Sequence, residues 1–141
     1  MNAWPPLAAF ALTACLGSPE VGAAVPGGGQ VALQPTYAAI DAIILTPRCA
    51  SAACHGGSSG VPLALGTAGA WSGLVGVPSQ QVPELALVAP ADPSDSYLLV
   101  KIRGTQGAAG GYGAPRPPDE ALSDEEIAAI EAWIQGGAPN D

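Results

Sequence analysis

The stretch RCASAACHGG, residues 48–57, holds Cys49, Cys54 and His55, which are two of the chain's three cysteines and its only histidine. Thiols and an imidazole this close together are the donors of metal, redox and nucleophile chemistry. A structural zinc site takes four ligands, and the sequence has no second Cys/His pair to complete one. An iron–sulfur cluster asks for about four cysteines. A thioredoxin-type centre has two residues between its cysteines inside a βαβ unit, whereas four separate Cys49 from Cys54 and no such unit is signalled. A Cys–His nucleophile pair is poorly served, because the side chains of adjacent residues rarely aim at each other.

Two chemistries stay open. In the first, the two thiols become thioethers to the vinyl groups of a haem, and the histidine directly after the second cysteine becomes the proximal axial ligand of the iron. The Cys54-His55 adjacency meets that demand. The loop Ala50-Ser51-Ala52-Ala53 is longer than usual but built of small side chains. With Gly56-Gly57 beyond His55, it predicts a backbone able to come close to a porphyrin edge. In the second, Cys49 and Cys54 close a disulfide, as oxidising surroundings favour. The cysteine count fits both.

These residues need a scaffold, and the rest of the sequence supplies four helical signals. TYAAIDAIILTPRC predicts a short helix with Thr36 as N-cap, Tyr37, Ile40, Ile43 and Ile44 near one face, and Pro47 as its stop. A second is expected over residues 68–75, ahead of the breaker GVPS. In DPSDSYLLVKIRG, Asp92 caps, Pro93 takes the first helical position, Lys101 and Arg103 lie in the last turn and Gly104 ends it. The strongest signal is SDEEIAAIEAWIQGG: Ser123 and Glu126 make a capping box, Ile127, Ile130 and Ile134 recur at helical spacing, and Gly136 follows as C-cap. No segment alternates as a strand does, so the expected class is a small all-α domain with long Gly/Pro-rich loops.

Composition bears on what fills such a domain. The chain has 19 glycines, 15 prolines and 5% aromatics, so its own side chains fill a core poorly and a large apolar group would help. The net charge of −8 comes from 12 acids against four bases, Arg48, Lys101, Arg103 and Arg116. No basic cluster exists for nucleic acid or anionic lipid. An acidic surface suits solubility or a basic protein partner.

Residues 1–14 read as a signal peptide, with an apolar run from Leu7 to Ala14 too short to span a bilayer. Leu12-Thr13-Ala14-Cys15 resembles a bacterial lipobox, which implies cleavage before Cys15 and its acylation. An ordinary secretory signal with an incidental Cys15 is the alternative. Residues 15–34 then form a lipidated, Gly/Pro-rich tether. Residues 35–138 form the folded domain and residues 139–141 a tail. The expected location is the cell envelope, on the periplasmic side or the cell surface.

The ordered set Cys49-x4-Cys54-His55, Leu74-Val75-Gly76-Val77-Pro78-Ser79, Asp92-Pro93 with Ser96-Tyr97-Leu98 and Lys101-Ile102, and the closing Leu122–Ala138 segment resembles the small monohaem c-type cytochrome domains of bacterial exported proteins. The resemblance runs over residues 35–138. It implies the class I cytochrome c fold, one covalent haem c on Cys49 and Cys54, proximal iron ligation by His55, and single-electron transfer to a redox partner protein. It also implies that the last helix packs across the first beside the haem.

That family places a Met-Pro before the last helix, where this chain has Ala114-Pro115, and Met1 is the only methionine. Tyr112 is the nearest substitute ligand, phenolate ligation of haem iron being known chemistry; a loop tyrosine packed on the surface is the alternative. The iron is otherwise five-coordinate or water-bound. That gives two alternatives to an electron carrier that is not an enzyme. One is a haem sensor with weak peroxidase character, in which Arg116 could polarise a bound peroxide, a solvated loop arginine being the alternative for that residue. The other is a haem-free exported domain closed by the Cys49–Cys54 disulfide.

Overall fold

The structure, a computed structural model, describes residues 32–141. The expected leader, acylated Cys15 and most of the tether lie outside the described residues. Among those described, all regular structure is helical and no strand forms. None of these helices is long and apolar enough to cross a membrane.

The first helix begins where expected. The Thr36 hydroxyl accepts the Ala39 N–H at 3.3 Å, and α1 (Tyr37–Ile40) follows. It does not stop at Pro47. At Asp41 the chain widens into a π-helical stretch, Asp41–Cys49, with Pro47 inside it. Its end is held by the Ala50 N–H reaching back five residues to Leu45 O at 3.0 Å. Proline breaks an α-helix because it lacks an N–H and its ring crowds the carbonyl four residues back; a widened turn relaxes both demands. The wider turn also changes which residues face inward. Ile40, Ile44 and Leu45 are fully buried, whereas Ile43, expected on that face, is 54% exposed.

Helix α2 covers Ala70–Leu74, two residues inside the expected span at its start. The third helix begins later than expected: α3 is Tyr97–Ile102, preceded by Ser96. Asp92 does cap, but it caps a turn. Its carboxylate accepts the Ser94 and Asp95 N–H groups at 3.0 and 3.2 Å and the Ser94 hydroxyl at 2.6 Å, and such local bonds compete with helix initiation. Buried Ser96 finishes the turn by donating to Asp92 O at 2.8 Å and accepting the Ala89 N–H at 2.9 Å. Isolated bridges Val75–Val88 and Ala86–Ser96 then tie the 75–89 loop to the start of α3.

Helix α4, Asp124–Gln135, carries the full capping box: Ser123 Oγ accepts the Glu126 N–H at 3.2 Å and Glu126 accepts the Ser123 N–H at 2.7 Å. At its other end Gly136 keeps helix-like angles, and positive φ follows at Gly137, +97, and Ala138, +51. The Ala138 N–H returns to Trp133 O at 3.0 Å and the Gly137 N–H to Ile134 O at 2.9 Å, which together satisfy the last carbonyls in a Schellman motif.

Helix α4 lies against α1, with the Tyr37 and Trp133 rings 5.7 Å apart. Ile130, Trp133 and Ile134 from α4 meet Ile40, Ile44 and Leu45 in one core with Leu74 and Leu99. Residues 139–141, expected as a tail, belong to this packing. Pro139 O accepts the Trp133 indole N–H at 2.9 Å, while Asp141 accepts the Tyr37 and Ala38 N–H groups, both at 2.8 Å. On the other side of the expected boundary, Leu33 also packs against the core.

Arg48 clamps the π-helical end to the start of α4. Its guanidinium forks onto both Glu126 oxygens at 2.8 and 2.9 Å and donates to Glu120 O at 2.9 Å. Burial pushes the Glu126 carboxyl up, but the Ser123 N–H and the Arg48 guanidinium outweigh it and hold the group below its ordinary value. A depressed folded value gives stability that is present above the unfolded carboxylate range and is lost as pH falls through the folded value. Glu126→Gln keeps a capping-box side chain, so it should cost under about 1 kcal/mol and flatten the acid side of the stability profile. Glu126→Ala loses cap and clamp together and should cost about 1–2 kcal/mol. Urea midpoints at pH 7 and pH 3 check both; equal acid sensitivity in wild type and Glu126→Gln would contradict the account.

Candidate functional site

The segment after the π-helical end folds tightly back on itself. The His55 N–H meets Cys49 O at 3.0 Å, the Cys54 N–H meets Ser51 O at 2.9 Å and the Gly56 N–H meets Ser51 O at 2.8 Å. Four intervening residues therefore close into one turn, and Cys49, Cys54 and His55 all line the same cavity.

The glycines after His55 have a role in the turn itself. A Cβ on Gly56 would stand 2.8 Å from the carbonyl oxygens of both Ala50 and Ser51. Gly56 thus permits the Cys-to-His turn itself to close. Gly57 is needed for its φ of +84. Gly56→Ala forces backbone apart and should cost about 1–3 kcal/mol, read as a lowered urea midpoint; an unchanged midpoint would contradict the close approach.

The 61–65 strap holds the histidine in place. Leu65 N–H donates to His55 O at 2.7 Å, and His55 Nδ1 lies 2.9 Å from Leu63 O. A carbonyl oxygen only accepts, so this bond requires a proton on Nδ1, and in the neutral imidazole Nε2 then keeps its lone pair. A neutral imidazole with Nδ1–H on a carbonyl and Nε2 bare is the form that ligates metal.

Cys49 and Cys54 are both half-buried, unbridged thiols. Burial pushes the Cys49 thiol up, the Arg48 charge opposes this, and Cys54 adds to it. Cys49 is therefore held as the neutral thiol at neutral pH. Among the described residues no group of three or more His, Cys, Asp or Glu side chains is gathered for an ion. The donor set at the cavity is one imidazole and two thiols.

The cavity measures about 710 Å³, within the range of sites that enclose a sizeable organic ligand. Leu45, Leu65, Leu74, Leu87 and Leu98 form much of its wall, drawn from the first helix, the strap, α2, the bridged loop and α3. Polar side chains, among them Arg48, Gln81, Tyr97, Lys101 and Arg116, complete the lining. Tyr97, 5% exposed, donates its hydroxyl to Gln81 Oε1, which also accepts the Tyr112 N–H at 3.2 Å. Lys101 donates to Tyr112 O at 2.6 Å.

Of the residues singled out for the second axial position, Tyr112 reaches the cavity at its mouth, with the residue 69% exposed. Ala114 and Pro115 are exposed, while Gly113 and Arg116 on either side of them line the cavity. Tyr97, Gln81 and Lys101 were not expected at the site. Tyr97, Leu98, Lys101 and Ile102 occupy one face of α3, a spacing legible in SYLLVKI once that face is known to be lined with space.

No family model, no curated protein and no solved structure matches the chain.

Proposed function

We propose that the domain carries one haem c, with Cys49 and Cys54 as thioether attachments and His55 Nε2 as the axial iron ligand, and that it is a c-type cytochrome of the cell envelope. One observation carries this reading: an imidazole whose Nδ1 proton is fixed on Leu63 O lines an apolar cavity beside two unbridged thiols. The residues fit the group. Apolar walls suit the porphyrin, a bare imidazole nitrogen suits the iron, and a neutral Cys49 thiol carries the proton that thioether formation delivers to the vinyl carbon.

When bound, the haem supplies reversible one-electron chemistry. The chain's part is to hold and orient it, with the turn at 49–55 joining both attachment points to the ligand and the strap at 61–65 fixing the ring. The leucines of the cavity wall would keep water from the group, and the exposed Tyr112 region would be where a redox partner protein approaches. Acylation of Cys15 would tether this carrier to a membrane.

The second axial position sets the kind of haem protein. The chain has no second histidine, and Met1, its sole methionine, falls in the expected leader. Met/His ligation raises the reduction potential, so this haem is expected to lack that contribution. An iron left open on that side would also bind small ligands.

The test is a haem stain on denatured full-length protein made with cytochrome c maturation machinery, since thioether-bound haem survives denaturation. The expected result is a stained band whose ferrous spectrum changes with carbon monoxide. An unstained protein, with Cys49 and Cys54 alkylated only after reduction, would replace this reading with the disulfide-closed domain.

A further inference from the structure

Arg48, Lys101 and Arg116, three of the chain's four basic residues, line the cavity, and no Asp or Glu does. In a chain with 12 acids and a net charge of −8, a cavity walled by one sign of charge is unlike the rest of the molecule, and such a cavity concentrates ligands of the opposite sign. Two of the four bases already have carboxylates: Arg48 pairs with Glu126 and Arg103 with Glu131. Among the described residues, Lys101 and Arg116 have no carboxylate within ion-pair distance.

These two are neighbours. The Arg116 N–H donates to Lys101 O at 3.4 Å, and both residues are half-buried. Burial first and the Arg116 charge second push the Lys101 ammonium below its ordinary value. The Lys101 bond to Tyr112 O holds the ammonium at the cavity edge and uses one of its three protons. Arg116 brings a planar fork of five donors, which matches a carboxylate edge on. Like charges side by side and partly out of water are costly until an anion joins them.

We propose that Lys101 and Arg116 form a carboxylate subsite, binding the acidic end of a ligand whose apolar body fills the leucine-walled cavity. The identity of that ligand rests on the haem reading, under which the acidic end is the propionate edge. The subsite itself asks only for a large apolar carboxylate.

The full chain, made without maturation machinery and kept reduced, is titrated with iron protoporphyrin IX and its dimethyl ester by Soret absorbance. It is also titrated with 1-pyrenebutyrate and its methyl ester by fluorescence. The free acids should bind wild type at least about tenfold more tightly than the esters, as charge-assisted hydrogen bonds imply. The double variant Lys101→Gln/Arg116→Gln should lose that preference while keeping its ester affinity. Arg103→Gln, whose native partner is Glu131, should keep the preference. Acid and ester binding wild type equally, or falling together in the double variant, would overturn the subsite. Porphyrins that bind without acid preference leave the haem reading standing and the subsite overturned. Porphyrins that fail, with a pyrenebutyrate preference that the double variant loses, do the reverse. No binding of any probe overturns both.

Discussion

Cys54→Ala and His55→Ala are each expected to abolish covalent haem attachment after expression with maturation machinery, and Cys49→Ala to lose most of it, if the domain carries haem c as proposed. The expected losses are near total because the three groups are one local unit. The His55 N–H closes on Cys49 O at 3.0 Å, so the turn that brings the thiols together also aims the imidazole. The ring is then fixed by Leu63 O, at 2.9 Å from Nδ1. Covalent staining and the optical spectrum of the ferrous protein check this, since neither responds to a merely structural histidine. His55→Ala protein that stains like wild type and keeps a histidine-ligated spectrum would remove His55 from the iron. Cys49→Ala and Cys54→Ala that stain like wild type would remove the thioethers.

Trp133→Ala is expected to be the most damaging single change to the fold, at about 3–5 kcal/mol. Trp133 is 1% exposed, its ring lies against Tyr37 and its indole N–H donates to Pro139 O at 2.9 Å. One substitution therefore loosens α4 from α1 and releases the 139–141 segment, whose Asp141 caps the start of α1. A loss of that size is a large share of the total for a domain of this length, typically about 5–15 kcal/mol. Trp133→Phe keeps an aromatic ring against Tyr37 and forgoes the hydrogen bond, for about 1 kcal/mol plus a modest packing loss. Urea unfolding followed by near-ultraviolet circular dichroism separates the two. A Trp133→Ala midpoint equal to that of Trp133→Phe would place the anchor elsewhere.

The features that were legible in the sequence act over a few residues. Ser123 and Glu126 sit three apart and cap each other, Thr36 caps three residues ahead, and Ile130 and Ile134 repeat at one helical turn. The Cys49, Cys54 and His55 triplet was legible for the same reason, since its members are within seven positions. What was misread involved a choice between two local options. Pro47 ends an α-helix but fits the widened turn that the chain adopts from Asp41, and that turn sends Ile43 outward. Asp92 can cap a helix or a turn, and its bonds to Ser94 and Asp95 decide for the turn. The part Gly56 plays in the turn was not legible, since its closeness to Ala50 and Ser51 depends on how the turn closes.

The sequence by itself determined the donors and part of the helical frame: which residues carry thiol and imidazole, where α4 starts, and that no strand pattern competes. Only the tertiary structure decided what those donors face. The cavity wall draws on residues from 45 to 118, and no local pattern encodes which distant leucines meet. It also decided which His55 nitrogen donates, because Leu63 lies eight residues away and its carbonyl accepts from Nδ1. The same holds for charge. Lys101, expected in the last turn of a helix, and Arg116, expected in the loop before the last helix, become neighbours only because that loop folds back along α3 and leaves them side by side without a carboxylate between them.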